Sequence, residues 1–339
     1  MKQPELARDV VVVGASAGGV EALSAFFSAL PPDLGAAVLV VLHISPDAPS
    51  QLARILQRLT TLPVKAAEDG EEVAPGHVYV ASSDRHLMVQ DDRVRITRGP
   101  REGRARPSVD VLFRSASLAY GPRVIAVVLS GALDDGTAGA WAVKDRGGLV
   151  LVQEPREAMQ ASMPESTILH VKVDHVAPVT ALAEIVAGLV GSPVSAAHRK
   201  EDSRLEVVTL VAAEGNGLQA GVMELGEISR YTCPDCHGVL VQIEEGSIVR
   251  FRCHTGHAFS LLSLLSEVNE AIDTGLWDTL RAIEERVMLL KHMGEIAQEA
   301  GRHEEAAVRK RESEDTSERL KAIRDLVLDA SFFGHRQNS

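Results

Sequence analysis

The sequence predicts an α/β fold: a doubly wound, mostly parallel sheet with a β-hairpin, followed by a small cysteine-bearing module and a C-terminal helical region. Three observations carry that expectation. Short Val, Ile and Leu runs without polar alternation recur at 10–13, 38–42, 78–80, 124–129 and 149–152, as strands buried on both faces of a parallel sheet do. Helical spacing of apolar residues falls between them, and strand alternating with helix is the signature of a doubly wound domain. The chain has 339 residues, 45% hydrophobic and 24% charged, which suffices for two domains with true cores and excludes wholesale disorder.

Taken in order, the first run (Val10–Val13) leads through a Gly-rich turn into a helix with Val20, Leu23, Phe26, Phe27 and Leu30 on one face. The run ending at Leu42 precedes a second helical pattern at Leu52, Ile55, Leu56 and Leu59. His86–Thr97 alternates around Asp91-Asp92 and reads as a β-hairpin inserted in the sheet. A boundary is expected near residue 192, where the charge changes from −4 (18 Lys+Arg, 22 Asp+Glu before it) to −8 (17 and 25 after it). This divides the chain into a domain over 1–191, a polar linker over 192–229, a cysteine-rich module over 230–260 and a helical region over 261–330. In the last, Leu261, Leu265, Val268, Ile272, Leu276, Leu280, Ile283, Val287 and Leu290 step by three or four, and Leu320, Ile323 and Val327 follow. A single packed helix, a helical hairpin and a dimerising coiled coil all satisfy that pattern, and a homodimer through these helices is one expectation. The N-terminus carries no secretory signal, and the longest apolar stretch falls far short of the ~20 residues a membrane helix needs. A cytoplasmic protein without membrane insertion is expected. The net charge of −12 disfavours a nucleic-acid partner.

Chemistry concentrates where strands end. Gly14-Ala15-Ser16-Ala17-Gly18-Gly19 joins the first strand to the first helix, a turn whose free N–H groups favour negative charge. A dinucleotide fingerprint needs Gly where Ser16 stands and an acid ending the second strand, where His43 stands. The alternative is nucleophilic, since Gly14-x-Ser16-x-Gly18 matches a nucleophile elbow. A serine hydroxyl needs an adjacent base. His43 closes the second strand, and the Gly-rich turn after 124–129 carries Asp134 and Asp135, so all three groups fall at the carboxyl edge of the sheet. The order Ser, His, Asp differs from that of α/β-hydrolases, which makes this a triad by role on another topology.

The segments VVVVGASAGGVEAL, VVLHISPDAPS, APGHVYVASSDRHLMV, RPSVDVLFRSAS, VVLSGALDDGTAG and VQEPREAMQASMP together resemble the catalytic domain of CheB-type chemotaxis protein-glutamate methylesterases over the first ~190 residues. The resemblance implies nucleophile Ser16, base His43 and acid Asp135, acting on glutamyl methyl esters of chemoreceptors, with glutamine deamidation as a side activity. N–H groups near Ala17 to Gly19 would then form part of an oxyanion site. Two positions depart from the family: Ala17 replaces the usual Thr, and Ala132-Leu133 replaces Met-Gly. Only nine residues precede the first expected strand, so the receiver domain usual in such proteins is not expected ahead of it, nor phosphorylation in cis. A CheB-like adaptor that acts by binding is the competing function. Arg98, Arg101, Arg104 and Arg106 form a basic loop, either solvated surface or a guide for acidic receptor helices.

The three cysteines, Cys233, Cys236 and Cys253, lie within 21 residues, and pairing two would strand the third. Cys233-Pro-Asp-Cys236 and Cys253-His-Thr-Gly-His257 give four ligands suited to tetrahedral zinc, on a zinc-ribbon-like hairpin. His257 is the expected fourth ligand, with His237 and His254 as alternatives. A closed set of four implies structural zinc and no cofactor for catalysis. The acidic surroundings favour a protein partner for this module.

Overall fold

The computed structural model describes residues 6–46, 49–194 and 203–329. It forms two compact units, Met1–Leu264 and Leu265–Ser339. In the first, β1 (Val10–Ala15), β2 (Ala37–Leu42), β3 (Val64–Ala66), β4 (Val78–Val80), β7 (Val124–Val128), β8 (Leu149–Gln153) and β9 (His175–Ala177) build one sheet in the order β3-β4-β2-β1-β7-β8-β9. All its ladders are parallel. The apolar runs hide an alternation that only the folded state reveals. Val11, Val13 and Ala15 face a core with Leu23, Phe26 and Phe27 of α1 (Gly19–Ala29), Leu52 and Leu56 of α2 (Leu52–Gln57) and Leu182 and Val186 of α6 (Val179–Leu189). Val10 and Val12 face the opposite core, built on Leu112 and Phe113 of α3 (Val109–Tyr120), Val143 of α4 (Thr137–Asp145) and Met163 of α5 (Ser162–His170). With both faces covered, every residue of β1, β2, β4 and β7 is buried, which is why these strands carry no polar alternation.

The hairpin β5 (His86–Gln90) and β6 (Arg93–Thr97) is present, its turn at Asp91 and Asp92 in the left-handed conformation with φ of 50° and 60°. It is a separate two-stranded sheet and not an insertion in the main one. The edge strands β3 and β9 were not legible in the sequence, because three-residue, partly exposed strands leave no apolar run.

Residues 192–229, expected as a linker, are largely ordered where described. α7 (Ser203–Glu214) buries Leu205, Val208, Val211 and Ala212, and Ala212 packs with Val111 of α3 and Met88 of β5. Three-residue spacing of that apolar stripe folds a helix against α3, which the polar lead-in conceals. β10 (Glu227–Thr232), β11 (Val239–Glu245), β12 (Ile248–Cys253) and β13 (Ala258–Ser260) then form an antiparallel sheet in chain order. It belongs to the first unit. Segment 101–103 extends its edge, with Ala258 N–H donating to Arg101 C=O at 3.2 Å and Gly103 N–H to Ala258 C=O at 2.8 Å.

In the second unit, α8 (Leu261–Glu299), whose first residues lie in the first, is continuous through Gly275, and α9 (His303–Leu328) returns after a turn at Gly301. Of the stripe, Leu280, Val287 and Leu290 are buried with Leu320, whereas Leu265, Val268 and Ile272 are exposed in the single chain. Residue 330 lies outside the described residues. Among those described, no helix is long and apolar enough to cross a membrane.

Candidate active site and cysteine cluster

β1 lies between β2 and β7, and the chain leaves β1 toward one side of the sheet and β7 toward the other. Ligands of open α/β sheets bind at such a switch point. The ladder continues beyond the strand ends: His43 N–H donates to Ala15 C=O at 3.1 Å and Ser16 N–H to Ser130 C=O at 2.9 Å. Those bonds bring three loops together. Gly18 permits the turn, since at φ +71° an added Cβ would also lie 2.5 Å from Met159 and 2.8 Å from Ser130 Oγ.

Ser16, His43 and Asp135 converge. Ser16 Oγ lies 3.1 Å from His43 Nδ1, and His43 Nε2 lies 2.7 Å from Asp135 Oδ2. A carboxylate only accepts, so Nε2 carries the proton and Nδ1 is left to accept from the Ser16 hydroxyl. This is the reverse of the ring orientation in the serine-protease triad, with the same connectivity.

Asp135 is held as an anion at the N-terminus of α3. Its Oδ2 accepts Val109 N–H at 2.7 Å, and its Oδ1 accepts Asp110 N–H and the Ser108 hydroxyl, each at 3.0 Å. Ser108, the N-cap residue, thus spends its hydroxyl on the acid and not on its own helix. Burial pushes the Asp135 carboxyl up, but the hydrogen bond and charge of His43 and the helix N–H groups outweigh it and hold it below the usual carboxylate range. The neighbouring Asp134 turns away to accept the Ser260 hydroxyl at 2.8 Å. Leu133 stands at φ +61°, a left-handed conformation that favours glycine, at the position where the family's Met-Gly has its glycine.

Sequence reasoning did not single out Asp110. Its Oδ1 accepts Gly136 N–H at 3.0 Å and Gly139 N–H at 2.7 Å, so it ties α3 to the turn that carries Asp135. Lying in the segment RPSVDVLFRSAS, it reads there as an ordinary first-turn acid. A cleft of about 380 Å³ opens at Ser16 and His43. Arg101, Arg104 and Arg106 of the basic loop line it, and so do Arg250, Ser260 and Ser263, which follow residue 191. Arg98 and Arg106 of that loop pair with Asp84 at 2.9 and 2.6 Å.

The cysteines occupy two knuckles, one between β10 and β11 and the other between β12 and β13. Donor atoms of Cys233, Cys236, Cys253 and His257 all lie within 4.8 Å of one another. Cys236 and Cys253 Sγ are 3.6 Å apart, and His257 Nδ1 is 3.6 Å from both Cys233 and Cys253 Sγ. The edges of a tetrahedron with Zn–S near 2.3 Å and Zn–N near 2.0 Å are about 3.5–3.8 Å, so donor set and spacing fit that ion. His257 Nε2 faces Asp235 at 3.9 Å. His237 and His254 are not among the converging donors.

The sheet and the hydrogen-bonded serine–histidine–carboxylate row at its switch point define an α/β protein with a candidate active site at its strand ends. The CheB methylesterase family model matches residues 11–186. A relative from Leptospira interrogans is 38% identical over 178 residues, 52% of this chain and 92% of that protein. The protein-glutamate methylesterase/protein-glutamine glutaminase 1 of Geobacter metallireducens is 36% identical over 194 residues, 56% of this chain and 53% of that protein. The crystal structure of the Thermotoga maritima CheB methylesterase catalytic domain matches with a TM-score of 0.52 at 36% identity, covering 55% of this chain and all of that one. The chain belongs to the CheB methylesterase family. The α7 helix, the cysteine-rich sheet and α8–α9 lie beyond the matched residues.

Proposed function

We propose that this chain is a serine-type protein-glutamate methylesterase that hydrolyses γ-glutamyl methyl esters on chemoreceptors and deamidates glutamine as a side activity. The relay from Ser16 Oγ through the His43 ring to Asp135 supports the reading above all else. His43 Nδ1 takes the Ser16 proton as Oγ attacks the ester carbonyl, and Asp135 stabilises the imidazolium. Collapse of the tetrahedral intermediate expels methoxide, which leaves as methanol with the proton from Nδ1. Water, deprotonated by the same nitrogen, then releases the glutamate and restores Ser16. Gly19 N–H is spent on Ser16 C=O at 2.8 Å, so the oxyanion donors of this turn are Ala17 and Gly18 N–H. In a methanol-release assay on methylated receptor, Ser16→Ala lowers kcat by on the order of 10⁴-fold or more. Unchanged turnover would leave the adaptor reading in its place.

In the same chain Cys233, Cys236, Cys253 and His257 would hold one structural zinc ion. Zinc supplies the cross-link between the two knuckles that so small a sheet needs. Metal analysis is expected to find one zinc per chain in the wild type and none after Cys233→Ser, with loss of the sheet on chelation. A metal-free, fully folded wild type would refute the site.

A further inference from the structure

The face of the cysteine-rich sheet nearest the acid turn carries Arg250 and Ser260, register partners on β12 and β13. Ser260 reaches Asp134 and Arg250 reaches Asp110, its Nη2 3.2 Å from Oδ2. The same guanidinium lies 3.1 Å from Glu102, a carboxylate 1% exposed that also binds Arg252 at 2.6 Å and Arg114. Asp110 has no such partner nearer on its own helix, where Arg114 stands 3.7 Å away. Its other oxygen holds the Gly136 and Gly139 N–H groups, that is, the left-handed turn at Gly136 (φ +91°) directly after Asp135.

We propose that Arg250 is a positioning residue of the esterase: from a sheet outside the matched family region it holds Asp110, and through Asp110 the turn that presents Asp135 to His43. This rests on the Ser16–His43–Asp135 reading above. The charge of Asp110 matters to the arrangement, since an ionised carboxylate binds two N–H groups more strongly than a neutral one. Burial pushes Asp110 up to about 6 even with Arg250 present; Asp135 and Glu102 push the same way, and Arg250 and Arg114 oppose. Asp135 is in turn bonded to His43. Without Arg250, Arg114 and the two turn N–H groups are left to oppose burial and two carboxylates, and the Asp110 carboxyl is pushed further up. A group that must be ionised and whose pKa rises moves the acid limb of the rate profile to higher pH.

The test is steady-state methanol release by the full zinc-loaded chain across pH. Arg250→Met is expected to lower kcat about tenfold or more at pH 7 and to move the acid limb up by about one unit, the low end of what losing an adjacent opposite charge does. Arg250→Lys, which keeps the charge, is expected to stay within about fivefold with the limb unmoved. If Arg250 acts through Asp110, the double variant Asp110→Asn/Arg250→Met is no slower than Asp110→Asn alone. Folded Arg250→Met with wild-type kcat and profile, or losses that multiply in the double variant, would overturn the proposal. Should Arg250→Met not fold, the lysine variant decides, and a loss of more than tenfold in it overturns the proposal. Ser16→Ala run alongside separates the two readings. If it is as active as wild type, the catalytic reading has failed; if it is inactive while Arg250→Met is unaffected, only the positioning role has.

Discussion

Asp135 can orient His43 only while it remains an anion in a nearly buried place, with 9% of its side chain exposed. Its charge is stabilised by N–H groups of α3 that a helix N-terminus leaves without partners, so the acid borrows what the helix has to offer. Asp135→Asn keeps the shape but sets an amide where the carboxylate accepts, and kcat is expected to fall by about 10⁴-fold with the thermal midpoint little changed. Leu133 is a second residue-scale case. A left-handed leucine costs about 1–2 kcal/mol, and glycine returns about 0.5–1 of that through unfolded-state entropy. Leu133→Gly is therefore expected to raise stability by up to about 1 kcal/mol in urea unfolding, whereas Leu133→Val lowers it. The triad residues were legible because each stands one step past a recognisable strand or in the Gly-rich turn beside it. Asp110 and Arg250 were not, because their role depends on partners remote in the chain.

At the scale of elements, the buried strands were legible wherever both faces are covered, since burial on two sides forces an unbroken apolar run. The helix α7 was not, as it buries only Leu205, Val208, Val211 and Ala212 and follows a polar lead-in that reads as a linker. How the cysteine-rich sheet attaches was equally hidden. Glu102 is its anchor, held well below the usual carboxylate range: burial pushes it up, and Arg114, Arg252 and Arg250 together overcome that. Glu102→Gln leaves three nearly buried guanidinium groups without their shared anion and is expected to cost about 3–5 kcal/mol at pH 7. Because the folded-state pKa is depressed, this stabilisation is complete above the ordinary glutamate pKa and is lost as pH falls through the lowered one. Urea midpoints of wild type and variant therefore converge in acid; a constant gap down to the lowest pH at which both fold would contradict the assignment.

At the scale of the whole molecule, the first unit contains the sheet, the triad, the cleft and the cysteine cluster, and it ends at Leu264. A chain shortened to residues 1–264 is expected to keep its zinc content and its methanol-release kcat within about twofold, because no residue assigned to the site follows Ser263. The sequence by itself determined the doubly wound sheet, the three strand ends that carry Ser16, His43 and Asp135, and the two knuckles of the cysteine cluster. In each case the information is local, in an apolar run, a Gly-rich turn or a short ligand spacing. Only the tertiary structure decided that Arg250 and Arg252 would meet Glu102, 148 and 150 residues away, beside the acid of a site that the sequence placed in the first 191 residues. A buried charge selects its partner by proximity in the folded state, and no periodicity in the chain records that choice.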